Sequence, residues 1–468
     1  MPEPVTTAAQ GSSTESSTRL TGNLGTAAIV LMVVAAAAPL TTLGGNVPLM
    51  IALGQGVGAP VGFLIAGAVF ALFAGGFVAM THYVDSAGAF YAYVERGLGA
   101  RPGMGAAFVA YAAYIATMIA VYGYIGAILS GMVSDLTGTT VPWWTMTAAV
   151  IVAIGLLGYR HIDLSAKVLG IFLVAEIAVV VVLDLVIVLR GGSDGLTGDS
   201  FTPAGISGGL GVAILFALFG FVGVEATAVF RDEAKDPQRT IRRATYWSVA
   251  IIAVFYAISS WAVIEGNGGS NAVAIATDDP DNFVLNTARL YLGVLGRDVT
   301  QVLLAVSLFA AALSFHNIAS RYQFVLARKG VLPAALGKAH PRHAAPSYSS
   351  FAVSIVSLLI MAVFALLDLD PLLEIFGPMG GIGIAGLASL WLLTSISIAV
   401  FFHKKGGSRR TVALAGASAL TLALALVLIL WNLPVIVGGT VLLAVLIGLV
   451  PLVFFMTGML VRSGVARQ

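Results

Sequence analysis

The sequence predicts an all-α protein that crosses a membrane many times. Hydrophobic residues make up 59% of the 468-residue chain and charged residues only 10%, and the mean hydropathy is +0.98. A helix needs about 20 predominantly apolar residues to cross the hydrocarbon core of a bilayer. We place twelve such spans at 24–53, 59–80, 102–133, 142–157, 164–189, 207–230, 243–265, 298–326, 347–367, 370–401, 411–431 and 433–461.

Positive charge is distributed unevenly between the two sides of these spans. Twelve spans put both termini on one side, and of the 24 Lys and Arg residues only Arg190, Arg289 and Arg297 fall on the other. Short loops rich in Lys and Arg remain cytoplasmic. We therefore expect a multi-pass protein of the cell membrane with both termini in the cytoplasm.

The first twenty residues are rich in Ser and Thr and contain no apolar run, which predicts a disordered cytoplasmic tail. The alanines before Pro39 faintly resemble a signal-peptide cleavage site, but the apolar run continues well beyond them and no cationic region precedes it closely. The chain contains no cysteine, which excludes disulfides and thiol chemistry.

Two glutamates, Glu176 and Glu225, lie inside apolar stretches long enough to cross a bilayer. A carboxylate at that depth costs a few kcal/mol or more unless it faces a cavity, a proton or a cation. Such residues usually mark a transport pathway.

Glycine and proline are concentrated in spans one and six. Span one contains Pro39, Gly44 and Gly45, and span six contains Gly220 and Gly223. Helix breakers at corresponding positions of two five-helix blocks indicate discontinuous helices, whose freed amide groups bind anionic groups. The alternative is that these glycines only allow close helix packing.

Three loop motifs resemble those of amino acid–polyamine–organocation permeases of the bacterial amino acid permease type. They read EATAVFRDEAKDPQRT at Glu225–Thr240, RYQFVLARKGVLPAALGKAHPRHAAP at Arg321–Pro346 and, more weakly, SAGAFYAYVERGLG at Ser86–Gly99. The resemblance covers roughly residues 24 to 400. It implies a leucine-transporter-type fold with discontinuous helices 1 and 6.

The same resemblance predicts the domain organisation. The transporter core occupies 21–402, with inverted repeats at about 24–189 and 207–401. Helices 11 and 12 and a short cytoplasmic C-terminus occupy 403–468, and the tail occupies 1–20.

The substrate of such proteins lies between spans one and six. Here the family's small-residue motif falls on Thr41, Thr42 and Leu43 or, if a gap is allowed, on Gly44 and Gly45, and both placements remain open.

In span six, Phe219 falls where relatives cover the substrate, and Gly220, Phe221 and Gly223 fall in the unwound stretch. Both phenylalanines are also consistent with ordinary packing. The polar Asn317 of span eight is a further candidate for the pathway.

Glu225 occupies the position of an acidic residue that takes part in proton coupling or gating in many members. A buried carboxyl group can bind and release a proton during the cycle, although a permanent hydrogen bond between helices is the alternative. Glu176 replaces a lysine found in several members. It can bind a cation, carry a proton or pair with a cationic substrate, so coupling through lysine does not apply here.

A secondary transporter fits these features better than other classes. An intramembrane enzyme needs catalytic motifs that are absent from the sequence, and an ion channel needs a filter or pore-lining repeat. We expect no catalytic residues, metal site, cofactor or nucleic-acid partner.

We expect an amino acid as the substrate, moved by alternating access with proton coupling or by exchange, and a proton rather than sodium as the coupling ion. The alternative is a polyamine or another small amine such as ethanolamine, because two intramembrane acids are present and no Lys or Arg lies deep in the core.

Overall fold

The computed structural model describes residues 24–84, 90–159, 166–206, 209–339 and 346–461, and these form a bundle of helices. The predicted tail at 1–20 lies outside the described residues. Eleven helices of the described part are long and apolar enough to cross a membrane, and the predicted fourth span is a shorter apolar helix of 17 residues. The helices are α1 (Thr26–Ala36), α2 (Pro39–Thr41), α3 (Val47–Gly54), α4 (Ala59–Met80), α5 (Phe90–Leu98), α6 (Ala100–Thr137), α7 (Trp143–Tyr159), α8 (Ala166–Arg190), α9 (Pro203–Ile206), α10 (Leu210–Phe219), α11 (Pro237–Asn267), α12 (Ala272–Asp278), α13 (Phe283–Arg328), α14 (Ser347–Leu366), α15 (Gly377–Lys404), α16 (Arg409–Ile436) and α17 (Val441–Leu460).

Span one is discontinuous, as predicted, but its break lies earlier than the sequence suggested. Helix α1 ends at Ala36, and Ala38 adopts a left-handed conformation with φ of 47° before Pro39 starts α2. Proline disfavours the α conformation in the residue before it. The predicted break at Thr41–Gly45 is therefore corrected to Ala37–Ala38, because a proline interrupts the helix more strongly than glycines do.

The segment Thr42–Asn46 is helical but forms a wide π turn before α3 begins. A π turn is a local irregularity that often occurs at functional sites. The candidate residues of span one thus lie in a distorted helix rather than in an unwound loop.

Span six is interrupted where the sequence predicts it. Helix α10 ends at Phe219, the chain turns through Gly223 with φ of 106°, and a 3-10 helix follows at Val224–Glu233. Glycine is the residue that adopts this backbone conformation without a steric penalty.

The beginning of span one and the end of span six meet at one end of the bundle, which we call the N-terminal end. Leu24 forms a parallel bridge with Ala234, and the Lys235 amide donates to the Leu24 carbonyl at 3.1 Å. At the same end the guanidinium of Arg231 donates to the carbonyl of Val84, just beyond α4.

A layer of short helices covers the opposite end and was not predicted. Helix α12 packs against α3. Helix α13 is kinked at Gly293, where φ is 77° and ψ is −172°. The predicted eighth span at 298–326 therefore corresponds only to the part of α13 that follows the kink.

Candidate functional site

The π turn of span one packs closely against two aromatic side chains. A Cβ atom on Gly44 would lie 2.8 Å from the Tyr124 hydroxyl oxygen, and one on Gly45 would lie 3.0 Å from Cζ of Phe376. Both glycines are buried. Their lack of a side chain therefore lets Tyr124 of α6 and Phe376 approach the backbone of span one.

Phe219 completes a group of aromatic side chains around this turn. Its ring centroid lies 5.9 Å from that of Phe376, which lies 5.4 Å from that of Tyr124. Phe219 is the last residue of α10, directly before the break of span six. We call Tyr124, Phe219 and Phe376 the central aromatic group. It brings spans three, six and ten together at the π turn of span one.

The other candidates of span six mainly pack against neighbours. A Cβ atom on Gly220 would lie 3.0 Å from Cγ2 of Thr42. Phe221 stacks on Phe70 with centroids 5.0 Å apart, and Phe70 in turn meets Trp391. Phe221 thus belongs to an aromatic cluster between α4 and α15, which supports the packing interpretation for that residue.

Several buried polar atoms near the turn have no hydrogen-bond partner among the described residues. They are Oδ1 of Asn46 and the hydroxyl of Tyr124. The hydroxyl of Thr117, about two helical turns before Tyr124 on α6, is a third such atom farther from the turn. The other end of the Asn46 amide donates to the Phe216 carbonyl at 3.1 Å, which joins the π turn to α10. Most buried polar groups are hydrogen-bonded, so these three atoms are candidates for contact with a polar substrate.

Glu225 is buried just past the break of span six and is held by two donors. Its Oε1 accepts from the Tyr114 hydroxyl at 3.1 Å, and its Oε2 accepts from the Gly223 amide at 3.0 Å. The carboxylate therefore links the glycine of the break to α6. Its Oε2 is thus in direct contact with the backbone of the break.

Glu176 is buried on α8 and meets span one from the other side. Its Oε2 accepts from the Ser307 hydroxyl at 3.0 Å and from the Leu40 amide at 3.5 Å. The Thr41 hydroxyl donates to Ser307 at 3.2 Å. Spans one, five and eight are thus joined through one carboxylate.

A cavity of about 20 Å³ adjoins Glu176, and its lining includes Phe172, Ser307 and Ala310. That volume holds roughly one water-sized ligand. Among the residues that the structure describes, no three His, Cys, Asp or Glu side chains are grouped so that they could hold a metal ion.

The two intramembrane glutamates share one structural role. Each accepts a hydrogen bond from a backbone amide that is freed at a helix break. The Leu40 amide donates to Glu176, and the Gly223 amide donates to Glu225. The first amides of a helix attract anions, because the helix dipole places partial positive charge there. In this conformation the protein's own carboxylates occupy these positions.

The freed carbonyl at the break of span one is satisfied by side chains. The Ala37 carbonyl accepts from the Tyr256 hydroxyl at 2.9 Å and from the Thr42 hydroxyl at 3.2 Å. Thr42 therefore stabilises the break itself, whereas Leu43 is a buried apolar residue of the core.

Asn317 lies away from the central aromatic group. It follows Ser307 by ten residues on α13. This spacing corresponds to about 15 Å along a helix axis, toward the end of the bundle where Leu24 lies. Its neighbour His316 is within 2.8 Å of the Ser350 hydroxyl. The structure does not bring Asn317 to the central aromatic group.

Sequence reasoning missed Phe376 and gave Tyr124 no definite role. Phe376 ends a helical turn at Pro371–Phe376 and is followed by Gly377 and Pro378. A large aromatic residue next to a glycine-rich segment at the start of a span was the available signal.

The sequence matches the family described as amino acid permease over residues 11–460. It is 24% identical to the branched-chain amino acid permease BcaP of Bacillus subtilis over 258 residues, which cover 55% of this chain and 51% of that protein. It is 22% identical to the methylthioribose transporter of Bacillus subtilis, with 65% and 67% covered. Several matches, BcaP among them, span about half the length of the relative.

The fold is similar to that of the manganese transporter of Eremococcus coleocola, solved in complex with an aromatic bis-isothiourea substituted compound. The TM-score is 0.57 at 13% identity, and the match covers 95% of this chain and 99% of that one. This likeness agrees with the expected leucine-transporter-type fold, and the family match confirms the resemblance carried by the loop motifs. The chain therefore belongs to the amino acid permease family, and its long apolar helices are those of a multi-pass membrane protein.

Proposed function

We propose that this protein carries amino acids across the cell membrane by alternating access, coupled to protons through Glu225. The observation that carries the proposal is the buried carboxylate of Glu225, which accepts hydrogen bonds from both the Gly223 amide and Tyr114. Protonation removes the negative charge that these donors stabilise. A proton gained or lost here therefore shifts the balance between conformations of the span-six break.

The choice of amino acids as substrates rests on the family and on relatives such as the branched-chain amino acid permease. Such an argument from analogy indicates a class rather than a particular substrate. The central aromatic group and the unpaired polar atoms of Asn46 and Thr117 are the groups we propose to contact it.

The experiment uses purified protein in liposomes and compares wild type with Glu225→Gln. Glutamine keeps the shape and the acceptor of the side chain but cannot release a proton. We expect Glu225→Gln to lose accumulation driven by a pH gradient while exchange of internal for external substrate continues, because exchange only requires the loaded carrier to reorient. Wild-type accumulation by the variant would reject proton coupling through Glu225.

A sodium gradient provides a second arm of the same experiment. Accumulation by the wild type that requires sodium would move the coupling role to a cation site, and Glu176 with its adjoining cavity would be the first position to test.

A second candidate function is transport of a small amine. The specific observation in its favour is that the Leu40 and Gly223 amides already donate hydrogen bonds to Glu176 and Glu225. A substrate carboxylate would have to find other donors, whereas an ammonium group would pair with either glutamate. Thermal stabilisation of the purified protein by amino acids or by amines, each screened separately, distinguishes the two substrates.

The orientation belongs to the same proposal. We expect reporter domains fused after residues 195 and 275 to lie outside the cell and those fused after 237, 338 and 406 to lie inside. A single reversed fusion would contradict cytoplasmic termini.

A further inference from the structure

Helix α11 begins with a group of exposed basic and aromatic side chains at the N-terminal end of the bundle. Arg239, Arg242, Arg243, Tyr246 and Trp247 are all exposed, and they line one cavity of about 750 Å³. We call these five residues the arginine–tryptophan cluster. Neither the transport pathway nor the two glutamates involve it.

The positive charges of this cluster are poorly compensated within the described residues. Arg239 lies 3.8 Å from Asp236, and both side chains are largely exposed, so that this pair contributes little. Arg242 and Arg243 form no ion pair within the part of the chain that the structure describes.

The position of the charges on the helix adds to this imbalance. Helix α11 starts at Pro237, so all three arginines lie within its first two turns. The partial positive charge of a helix N-terminus disfavours cations in the first turn, where Arg239 lies, and the two other arginines follow one turn later. A bound anion would relieve both the mutual repulsion and the unfavourable interaction with the helix dipole.

An exposed apolar stripe continues from the cluster along α11 toward the middle of that helix. Trp247, Ile251, Val254 and Ile258 are 60%, 40%, 51% and 51% exposed. Their spacing of three or four residues places them on one face of α11. A ligand that used both features would have an anionic head and a long apolar tail.

We propose that the arginine–tryptophan cluster binds the headgroup of an anionic phospholipid whose acyl chain lies along this stripe. Arginine forms paired hydrogen bonds with phosphate oxygens, and tryptophan and tyrosine prefer the level of the lipid headgroups. Clusters of basic residues beside a span recognise anionic lipids. A headgroup with net negative charge suits the cluster better than a zwitterionic one, whose ammonium group would lie close to the arginines. The apolar stripe favours a lipid over a free phosphate ion.

This site adjoins the segment that carries Glu225. The Thr245 hydroxyl on α11 donates to the Thr227 hydroxyl at 2.9 Å, and Thr227 lies two residues after Glu225. Lipid binding at the start of α11 thus stabilises the helix against which the second half of span six packs.

The test measures the thermal unfolding midpoint of the full-length protein in a neutral detergent. Dioleoyl phosphatidylglycerol, dioleoyl phosphatidylcholine and inorganic phosphate are added separately. We expect phosphatidylglycerol to raise the wild-type midpoint by several degrees and the other two to leave it nearly unchanged. Arg242→Gln/Arg243→Gln should lose most of this increase.

The matched control removes two exposed arginines from the same end of the bundle, on helices α6 and α13. Arg101→Gln/Arg328→Gln should retain the full increase. Equal losses in both double variants would show a general charge effect and reject the site, as would an unchanged response in Arg242→Gln/Arg243→Gln. An equal response of the wild type to phosphate alone would also reject a lipid.

Two further variants keep the test decisive if the double variant does not fold. Arg243→Gln should reduce the increase by a smaller amount, and Trp247→Ala should reduce it by removing the aromatic contact. A full wild-type increase in both variants would overturn the proposal.

Discussion

The two broken helices of this protein are interrupted in different ways. Span one breaks at Ala38 before Pro39, and the freed amide of Leu40 donates a hydrogen bond to Glu176 on a different helix. Span six breaks at Gly223, and its amide is met by Glu225 only two residues further along the chain. The first break thus depends on contacts between helices, whereas the second is largely encoded in its own local sequence.

This difference predicts which substitutions disturb each break most. A change at span six should act through local backbone strain, and a change at span one should act through the loss of a partner across the bundle. The four predictions below are ordered from the largest expected effect to the smallest.

The largest effect is expected for Gly223→Ala. An alanine at φ of 106° is strained by about 1–3 kcal/mol, and its Cβ would also lie 3.0 Å from Cβ of Ala36. We expect a lower unfolding midpoint and little substrate exchange. Gly416→Ala on α16 is the matched control, since its Cβ would meet nothing within 4 Å. A Gly223→Ala protein as stable and active as the control would contradict a break encoded in the local backbone.

Glu176→Ala should have the next largest effect. It leaves the Leu40 amide and the Ser307 hydroxyl without their acceptor, and an unsatisfied buried donor costs about 1–3 kcal/mol. We expect a reduced rate of substrate exchange, partly restored in Glu176→Gln because the amide oxygen can still accept.

Asp184→Ala is the control for Glu176, because it removes a buried carboxylate of the same helix that binds Ser259 rather than span one. It should lower the unfolding midpoint but spare the exchange rate of the protein that remains folded. If Asp184→Ala and Glu176→Ala reduced exchange equally, the contact with span one would have no special role.

The stability of the fold is expected to depend on pH through Asp281. This residue lies between α12 and α13, at the end of the bundle opposite Leu24. Burial, together with the charges of Asp370 and Asp279, raises the pKa of Asp281 from 3.8 to about 7. A carboxyl group whose pKa is raised by folding prefers to be protonated in the native state. Its contribution to the stability of the fold is therefore lost as the pH rises from about 4 to about 7.

The measurement is the unfolding midpoint between pH 4 and pH 8 for wild type and Asp281→Asn. The difference between the two proteins should be small at pH 4 and should grow through pH 7, with the variant the more stable at high pH. A parallel pH dependence in both proteins would show that Asp281 does not titrate in this range.

The smallest effect is expected at the freed carbonyl of span one, because two donors share it. Tyr256→Phe and Thr42→Val each remove one hydrogen bond to the Ala37 carbonyl and should each lower the free energy of unfolding by about 0.5–1.5 kcal/mol. The double variant leaves that carbonyl unpaired and should lose more than the sum of the two. Strict additivity would mean that the two donors act independently.

Much of the fold was predictable because a bilayer imposes simple rules on sequence. The long apolar runs, the broken spans and the two intramembrane glutamates follow from composition and from single residues. The position of the break in span one did not follow, because Pro39 and the glycines at 44 and 45 are competing signals, and only the packing of Tyr124 and Phe376 shows that the glycines serve close contact.

The central aromatic group was only partly predictable. Phe219 was identified from its place beside a break, whereas Phe376 lies far away in sequence and reaches the turn through tertiary packing. The layer formed by α12 and the start of α13 was missed for a related reason, since its helices are short and too polar to give a membrane signal.

The bridge between Leu24 and Ala234 has a mechanical consequence for the proposed transport cycle. The hydrogen bond from Lys235 to Leu24 ties the base of span one to the base of span six, and α1 also packs along Val224–Glu233. If only one of the two segments moved to open the pathway at this end, the hydrogen bond between Lys235 and Leu24 would have to break. We therefore expect the two segments to move together. Under the proposed coupling, a proton bound at Glu225 in span six would also shift the start of span one.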